Sequence, residues 1–323
     1  MTSSTISKIE KEFMMKKHIK KRVYLHMLKK ISIFFRLYGL DYPDINAKLM
    51  YYSQMYFRKL DDITDGDEKL IEGVPLKEEK KYILEFLEER ESAIEEDITK
   101  DDLDIIMHEM LDLSSKTGID YKDEFHTLFA SLKYDIKRRT DIANGEIYIP
   151  KKRDLDKYFF NGYADSCARC LVKVTGSPNY DINKLHNLMY ANRIYYDLID
   201  FLEDLSFGLL NISKEDMYKF GICEKDIINL ANDKELIDIC KNEGFPVLRN
   251  IISPEIYNWL LSELVRGLYN LGDWYDASSI NTVGDALTDL FIKHENPTDT
   301  LLYFAYGVGT DTYFKKLVKK EFR

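Results

Sequence analysis

Proline and glycine are scarce, 7 and 15 among 323 residues. A fold built from many tight turns needs more of both, so an all-β architecture is disfavoured. Cysteine is rarer still. Cys167, Cys170, Cys223 and Cys240 do not make a disulfide framework, and the C-x-x-C at Cys167 and Cys170 lacks the second pair of a zinc site. Small buried side chains on a helix are the simpler reading of that pair. No run approaches the ~20 apolar residues of a membrane span. The N-terminus has neither an apolar leader core nor a small-residue cleavage site, so a cytoplasmic protein is expected. Basic charge is also in deficit: 46 Lys and Arg against 56 Asp and Glu leave a net charge of -10, which argues against a nucleic-acid partner.

The basic residues are unevenly spread. Lys16, Lys17, Lys20, Lys21, Arg22, Lys29 and Lys30 crowd the N-terminus, interleaved with apolar residues and followed by Ile31, Ile33, Phe34 and Phe35. A solvated helix face is the simpler reading; peripheral contact with an anionic membrane is the functional one. Residues 1–30 are therefore read as a basic segment and 31–323 as one all-α domain.

Aromatic and apolar residues are plentiful and fall in helical register. Tyr82, Ile83, Phe86, Leu87 and Ile94 form one stripe; Leu103, Ile106, Met107, Met110, Leu111 and Leu113 form another. Phe125, Leu128, Phe129, Leu132 and Ile136 give a third, and Leu185, Leu188, Met189, Ile194, Leu198, Phe201 and Leu202 a fourth. Turn residues separate them at Gly39 to Pro43, Gly73 to Pro75, Ser114 to Asp120, Asn144 to Pro150, Gly176 to Asn179, Gly208 to Ser213, Gly244 to Pro246, Ser253-Pro254, Gly272 to Ser279 and Glu295 to Pro297. The pattern predicts a bundle of about ten or more helices.

Two clusters of acid break the ordinary surface pattern. Asp61, Asp62 and Asp65 stand within one turn at the end of a predicted helix, just before Gly66. Like charges at that spacing repel, and carboxylates at a helix C-terminus oppose its dipole. Asp197, Asp200 and Asp204 share a face of a second helix, with Glu203 to one side and Gly208 soon after. Apolar neighbours place that stripe beside a core, where acids need cationic partners. Oxygen ligands alone suit Mg²⁺, and two facing clusters suit a site that grips one diphosphate from both sides. Arg58, Arg193, Lys133, Arg138 and Arg139, the last three around Asp135, are candidate basic partners.

With these residues in view, the chain resembles the squalene/phytoene synthase family, the head-to-head prenyl-diphosphate synthases. Phe57 to Gly66 is similar to that family's first aspartate-rich motif, and Asp200-Phe201-Leu202-Glu203-Asp204 followed by Gly208 to its second. Ser213 to Ile222, Phe129 to Asp135, Leu155 to Tyr158 and Ser32 to Phe35 are similar to its flanking segments, so the resemblance spans roughly residues 30–225. It implies an isoprenoid-synthase-type helical bundle with a central cavity. It further implies Asp61, Asp65, Asp200 and Asp204 as catalytic residues, and Asp61, Asp62, Asp65, Asp197, Asp200, Glu203 and Asp204 as Mg²⁺ ligands. Arg58, Asp135, Arg138, Arg193 and Tyr196 would contact a farnesyl or geranylgeranyl diphosphate. The implied reaction is head-to-head condensation, with NADPH needed only for a squalene product.

The chain departs from the family pattern in several places. Phe57 replaces the usual Cys, Ile199 an Arg, and Asp165 stands where glycine is usual. Leu209, Asn211 and Ser213 replace an R-x-Y-x-P stretch. The lost Arg and Tyr leave room for a terpene cyclase acting on a single diphosphate. A non-catalytic scaffold is the remaining alternative; it would have no need of acidic stripes.

Overall fold

Turn chemistry sets the helix ends. Pro43 opens one long helix, and Gly66, in the left-handed region at φ 87°, closes it. Asp181 caps the start of a second long helix by accepting from the Asn183 amide. In the computed structural model, residues 21–321 are described apart from 67, 97, 98 and 178, and no strand occurs among them. The first half comprises α1 (Lys21–Leu37), α2 (Pro43–Asp65), α3 (Leu76–Ser92), α4 (Asp102–Thr117) and α5 (Lys122–Arg138). Lys152–Leu155, Asp156–Ala164 and Asp165–Val174 run on as one helix, α6, whose middle stretch is a π-helix. Then come α7 (Ile182–Ser206), the short α8 (Lys214–Phe220), α9 (Glu224–Ala231) and α10 (Lys234–Glu243), and the long α11 (Pro254–Ala277). α12 joins Val283–Thr288 to a π turn at Asp289–Lys293; α13 joins Pro297–Leu302, Tyr303–Gly307 and Val308–Glu321. Among the described residues, no helix is long and apolar enough to cross a membrane.

The apolar stripes face inward and form one contiguous core, except that Tyr82 of the first stripe is exposed. Phe125, Leu128, Phe129, Leu132 and Ile136 on α5 are all buried, as are Leu185, Leu188, Met189, Ile194, Leu198, Phe201 and Leu202 on α7. Each such side chain contributes about 1.5–3 kcal/mol by leaving water. α7 packs most extensively on α11 and also touches α6, α10 and α13, while α2 packs on α1, α4 and α5. The two acid-bearing helices are thus central.

Two predicted breaks shift. α4 continues to Thr117 and stops at Gly118, where φ is 71°. α11 runs straight through Gly272, where an added Cβ would meet nothing. The glycine costs a helix about 1 kcal/mol, and burial of Leu271 and Trp274 on either side outweighs it. α1 crosses residue 30 without interruption. Lys16, Lys17 and Lys20 lie outside the described residues.

A buried carboxylate ties α1 to the far end of the chain. Asp289, 2% exposed, accepts from the Tyr38 hydroxyl at 2.6 Å, the Thr300 hydroxyl at 3.1 Å and the Asn296 amide at 3.1 Å. Burial alone would raise its pKa, but hydrogen bonds from Tyr38 and Asn296 outweigh that and hold it below the usual value. A depressed carboxyl stabilises the fold above its unfolded pKa and loses that contribution as pH falls. Asp289→Ala should therefore cost about 3 kcal/mol in urea denaturation at neutral pH. The deficit should shrink in acid. A variant within about 0.5 kcal/mol of the parent would contradict this reading.

Candidate functional site

The last turns of α2 and α7 carry the acids. Asp61, Asp62 and Asp65 end α2; Asp197, Asp200, Glu203 and Asp204 lie along the C-terminal half of α7. The two groups are brought together. The field at Asp65 comes from Asp61 on its own helix, from Asp204 across the gap and from Asp135 on α5. Burial, then repulsion from Asp61 and Asp204, pushes Asp65 well above the usual carboxylate range. Burial raises Asp204 to about 7 and Asp61 to about 6, with Arg193 opposing both shifts. These carboxyls hold less positive charge nearby than full ionisation requires.

The predicted cations divide into two groups. Arg58 faces the acids directly, with Nη1 2.8 Å from Asp61 and Nε 3.0 Å from Asp62. Arg193, on α7, lowers the pKa of Asp61, Asp65, Asp197 and Asp204 and lies 3.8 Å from Asp197. Arg138 is drawn into the fold instead. It is 2% exposed, and its guanidinium donates to Asp135 at 2.7 Å, to the Leu210 carbonyl at 2.7 Å and to Asn211 Oδ1 at 2.7 Å. Asn211 in turn donates to Asp204 at 2.8 Å and to Asp197 at 3.3 Å. Arg138 thereby holds the loop after α7 in register with the acids. Lys133 points elsewhere and pairs with Glu91.

Arg139 has a role that the sequence did not reveal. It is buried between the two acidic helices, donating from Nε to the Phe207 carbonyl at 2.8 Å and from Nη1 to the Thr64 carbonyl at 3.5 Å. The next residue's amide, that of Thr140, donates to the Gly208 carbonyl at 2.9 Å. One short segment after α5 therefore binds both helix ends. A cation against terminal carbonyls also offsets the dipole penalty of acids at a helix C-terminus. Its partners lie 68 to 75 positions away, so no local pattern points to it.

α6 supplies another wall. Its π stretch puts Tyr163 beside Asp61, Arg58 and Asp65, and burial then raises the Tyr163 hydroxyl well above its usual range. Cys167, one turn on, is pushed to about 12 by burial and by Asp61, so it stays a neutral thiol. Cys167 and Cys170 are both free thiols. A π turn is a frequent mark of a functional segment, but its sequence reads like any helix. Gly162 permits it here, since a Cβ would come within 2.3 Å of the Ser131 hydroxyl. Tyr196, 46% exposed, is influenced by Arg193, Arg58, Asp200 and Asp61 and flanks the acids. Asp200 lies toward Tyr195, Cys240 and Tyr313, on the side of α10 and α13. Glu203 is half-buried beside it.

The donor set is carboxylate oxygen from both helices, with one guanidinium on each, Arg58 on α2 and Arg193 on α7. Among the described residues, no three carboxylate, imidazole or thiol groups converge on one point as the side chains stand. Arg58 takes two of the α2 carboxylates, and Asn211 bridges two on α7. The raised carboxyls fit a divalent cation chemically, because ionising them needs more positive charge than the arginines supply.

Among the described residues the elements are helices alone, an all-α fold in which two acidic helix ends face each other across the bundle. No family model and no curated protein matches the chain. Among solved structures, the crystal structure of a dehydrosqualene synthase in complex with ligand aligns with a TM-score of 0.51. The alignment covers 90% of this chain and 86% of that one at 15% identity. The two proteins share a fold.

Proposed function

We propose that this protein is a magnesium-dependent prenyltransferase that joins two farnesyl or geranylgeranyl diphosphates head to head. The observation that carries the reading is the convergence of the acidic ends of α2 and α7, where Asp204 bears on Asp65 across the gap and Arg58 and Arg193 stand beside the carboxylates. The fold shared with a dehydrosqualene synthase supports the same class of chemistry. Asp61, Asp65 and Asp204 would hold the ions, joined by Asp62, Asp197, Asp200 and Glu203. Magnesium bound there would neutralise the diphosphate as it leaves.

The chain's own residues do the rest. Arg58 and Arg193 offer guanidinium donors to phosphate oxygens. The donor's C–O bond breaks, its electron pair passing to diphosphate and leaving an allylic cation. The aromatic rings of Tyr163 and Tyr196, which flank the acids, would attract that cation. The double bond of a second prenyl diphosphate then supplies the electrons for the new carbon–carbon bond. The resulting cation loses a proton to the released diphosphate as a cyclopropane closes. The second diphosphate then departs, and the rearranged cation is quenched by proton loss, or by hydride where NADPH supplies it.

One observation favours a second reading, a cyclase acting on one diphosphate. Asn211, where the family has tyrosine, is committed to Asp197 and Asp204, and Ile199 offers no guanidinium. Incubation with farnesyl or geranylgeranyl diphosphate, Mg²⁺, and NADPH present or absent separates the readings. Coupling doubles the substrate's carbon number, and cyclisation leaves it unchanged. Failure to release inorganic diphosphate from either substrate would refute both readings.

A further inference from the structure

The chain segregates its charge. α1 carries five Lys and Arg and no carboxylate, in a protein of net charge -10. Lys29 and Lys30 are exposed and make no ion pair among the described residues. Beside them, between α1 and α2, is a surface hollow of about 350 Å³ lined by Lys29, Ile33, Arg36 and Lys48, in which Arg36 is paired to Asp44 and Lys48 to Glu109. Apolar side chains stand out of the same region. Ile33 is 55% and Leu37 37% exposed although Phe34 and Phe35, next to them, are buried.

The adjoining π turn of α12 is more apolar still. Phe291 is 62% exposed and Ile292 74%, with Leu287 at 43% one turn before. α1 touches this turn, and the Tyr38 to Asp289 bond fixes it there. Lys293 follows, with Asp285 and Glu295 as the local acids. Single exposed apolar residues are ordinary, but several on two elements joined by a buried hydrogen bond are not. A helix with five cations and no carboxylate, on a protein of net charge -10, is a place where an acidic partner is attracted.

We infer that the α1 and α12 surface docks on an anionic lipid bilayer. Phe291, Ile292, Ile33 and Leu37 enter the interface while Lys29 and Lys30 meet lipid phosphates. A bilayer matches a basic rim around apolar residues better than a second copy, which would set α1 against α1 and repel. The inference does not depend on the proposed reaction, and its test uses no substrate.

Full-length protein is mixed with vesicles of phosphatidylcholine alone, or with roughly one third phosphatidylglycerol, and sedimented. Binding to the anionic vesicles is expected, weakening as salt rises, with little on the neutral ones. Phe291→Ser with Ile292→Ser should weaken it about tenfold or more, and Lys29→Glu with Lys30→Glu by a similar factor. Circular dichroism checks that each variant is folded. A polarity-sensitive dye on Ile292→Cys should shift to the blue on anionic vesicles. Equal binding to neutral vesicles, no binding, full binding by the Phe291 and Ile292 variant, or an unshifted dye would overturn the inference. So would a dimer in sedimentation velocity that the same variant dissociates.

Discussion

Asp204→Asn should make the metal-free protein more stable at about pH 8 while cutting diphosphate release by at least ~10²–10³-fold. The two effects share one cause. Burial raises Asp204 to about 7, Asp200 adds to the rise, and Arg193 only partly opposes it. A raised carboxyl stabilises the fold fully below its unfolded pKa near 3.8. That contribution disappears as pH climbs to the folded value. Asp61, raised to about 6, behaves alike. The metal-free protein should therefore lose stability between about pH 4 and about pH 7. A shift of this size in isolation corresponds to about 4 kcal/mol, and sharing of charge among neighbouring acids reduces the expected gain to about 2 kcal/mol.

Asparagine is the informative substitution because it retains an oxygen that can accept from Asn211, so the loop after α7 keeps its anchor. Thermal unfolding from about pH 4 to about pH 8, with and without Mg²⁺, measures the effect. The parent should gain stability from Mg²⁺ most at high pH, where its acids are ionised, and the variant should gain less. If the Asp204→Asn variant were less stable than the parent at high pH, or kept an unchanged pH slope, the account would be defeated. Asp61→Ala and Asp200→Ala should likewise remove turnover and leave a folded protein.

Helical periodicity made the core legible: the α5 and α7 stripes are buried where a 3.6-residue repeat puts them. The acids were legible because crowding them opposes both mutual repulsion and the helix dipole, and the glycine after each marked where its helix would stop. What closes the site was not legible. Tyr163 and Cys167 enter through a π turn that leaves no periodic trace. Arg138 and Arg139 follow Lys137 directly, in a run of base that reads as a solvated helix end. Their distinct tasks appear only when the chain returns at the end of α7, about 70 residues later. Lys133 shows the converse: near Asp135 in sequence, it turns a helix face away to meet Glu91. Gly272 misled for a simpler reason, since a glycine's weak local preference yields to burial of its neighbours.

The same joint between helix ends makes Gly208→Ala the most disruptive single methyl that can be added near the site. Gly208 has φ 86°, a region that costs an L-residue about 1–2 kcal/mol. Its new Cβ would fall 1.8 Å from the Thr140 carbonyl oxygen, and backbone cannot rotate aside as a side chain can. The strap must move, and with it go the Thr140 to Gly208 bond and the Arg139 grip on Phe207. A total cost of about 3–5 kcal/mol is expected. Gly66→Ala is the comparison. It has the same backbone strain, at φ 87°, but its Cβ meets only side-chain atoms, the Arg139 guanidinium at 2.7 Å. That group must shift off Thr64 while the Thr140 to Gly208 bond stays, so a smaller cost of about 2–3 kcal/mol is expected. Arg139→Met tests the grip itself: it leaves the Thr64 and Phe207 carbonyls without their cation and should lower Mg²⁺ affinity about tenfold or more. Chemical denaturation ranks the three, and Mg²⁺ titration followed by thermal shift reads the site. If Gly208→Ala proved no costlier than Gly66→Ala, the strap would not be what sets the spacing of the two acidic helices.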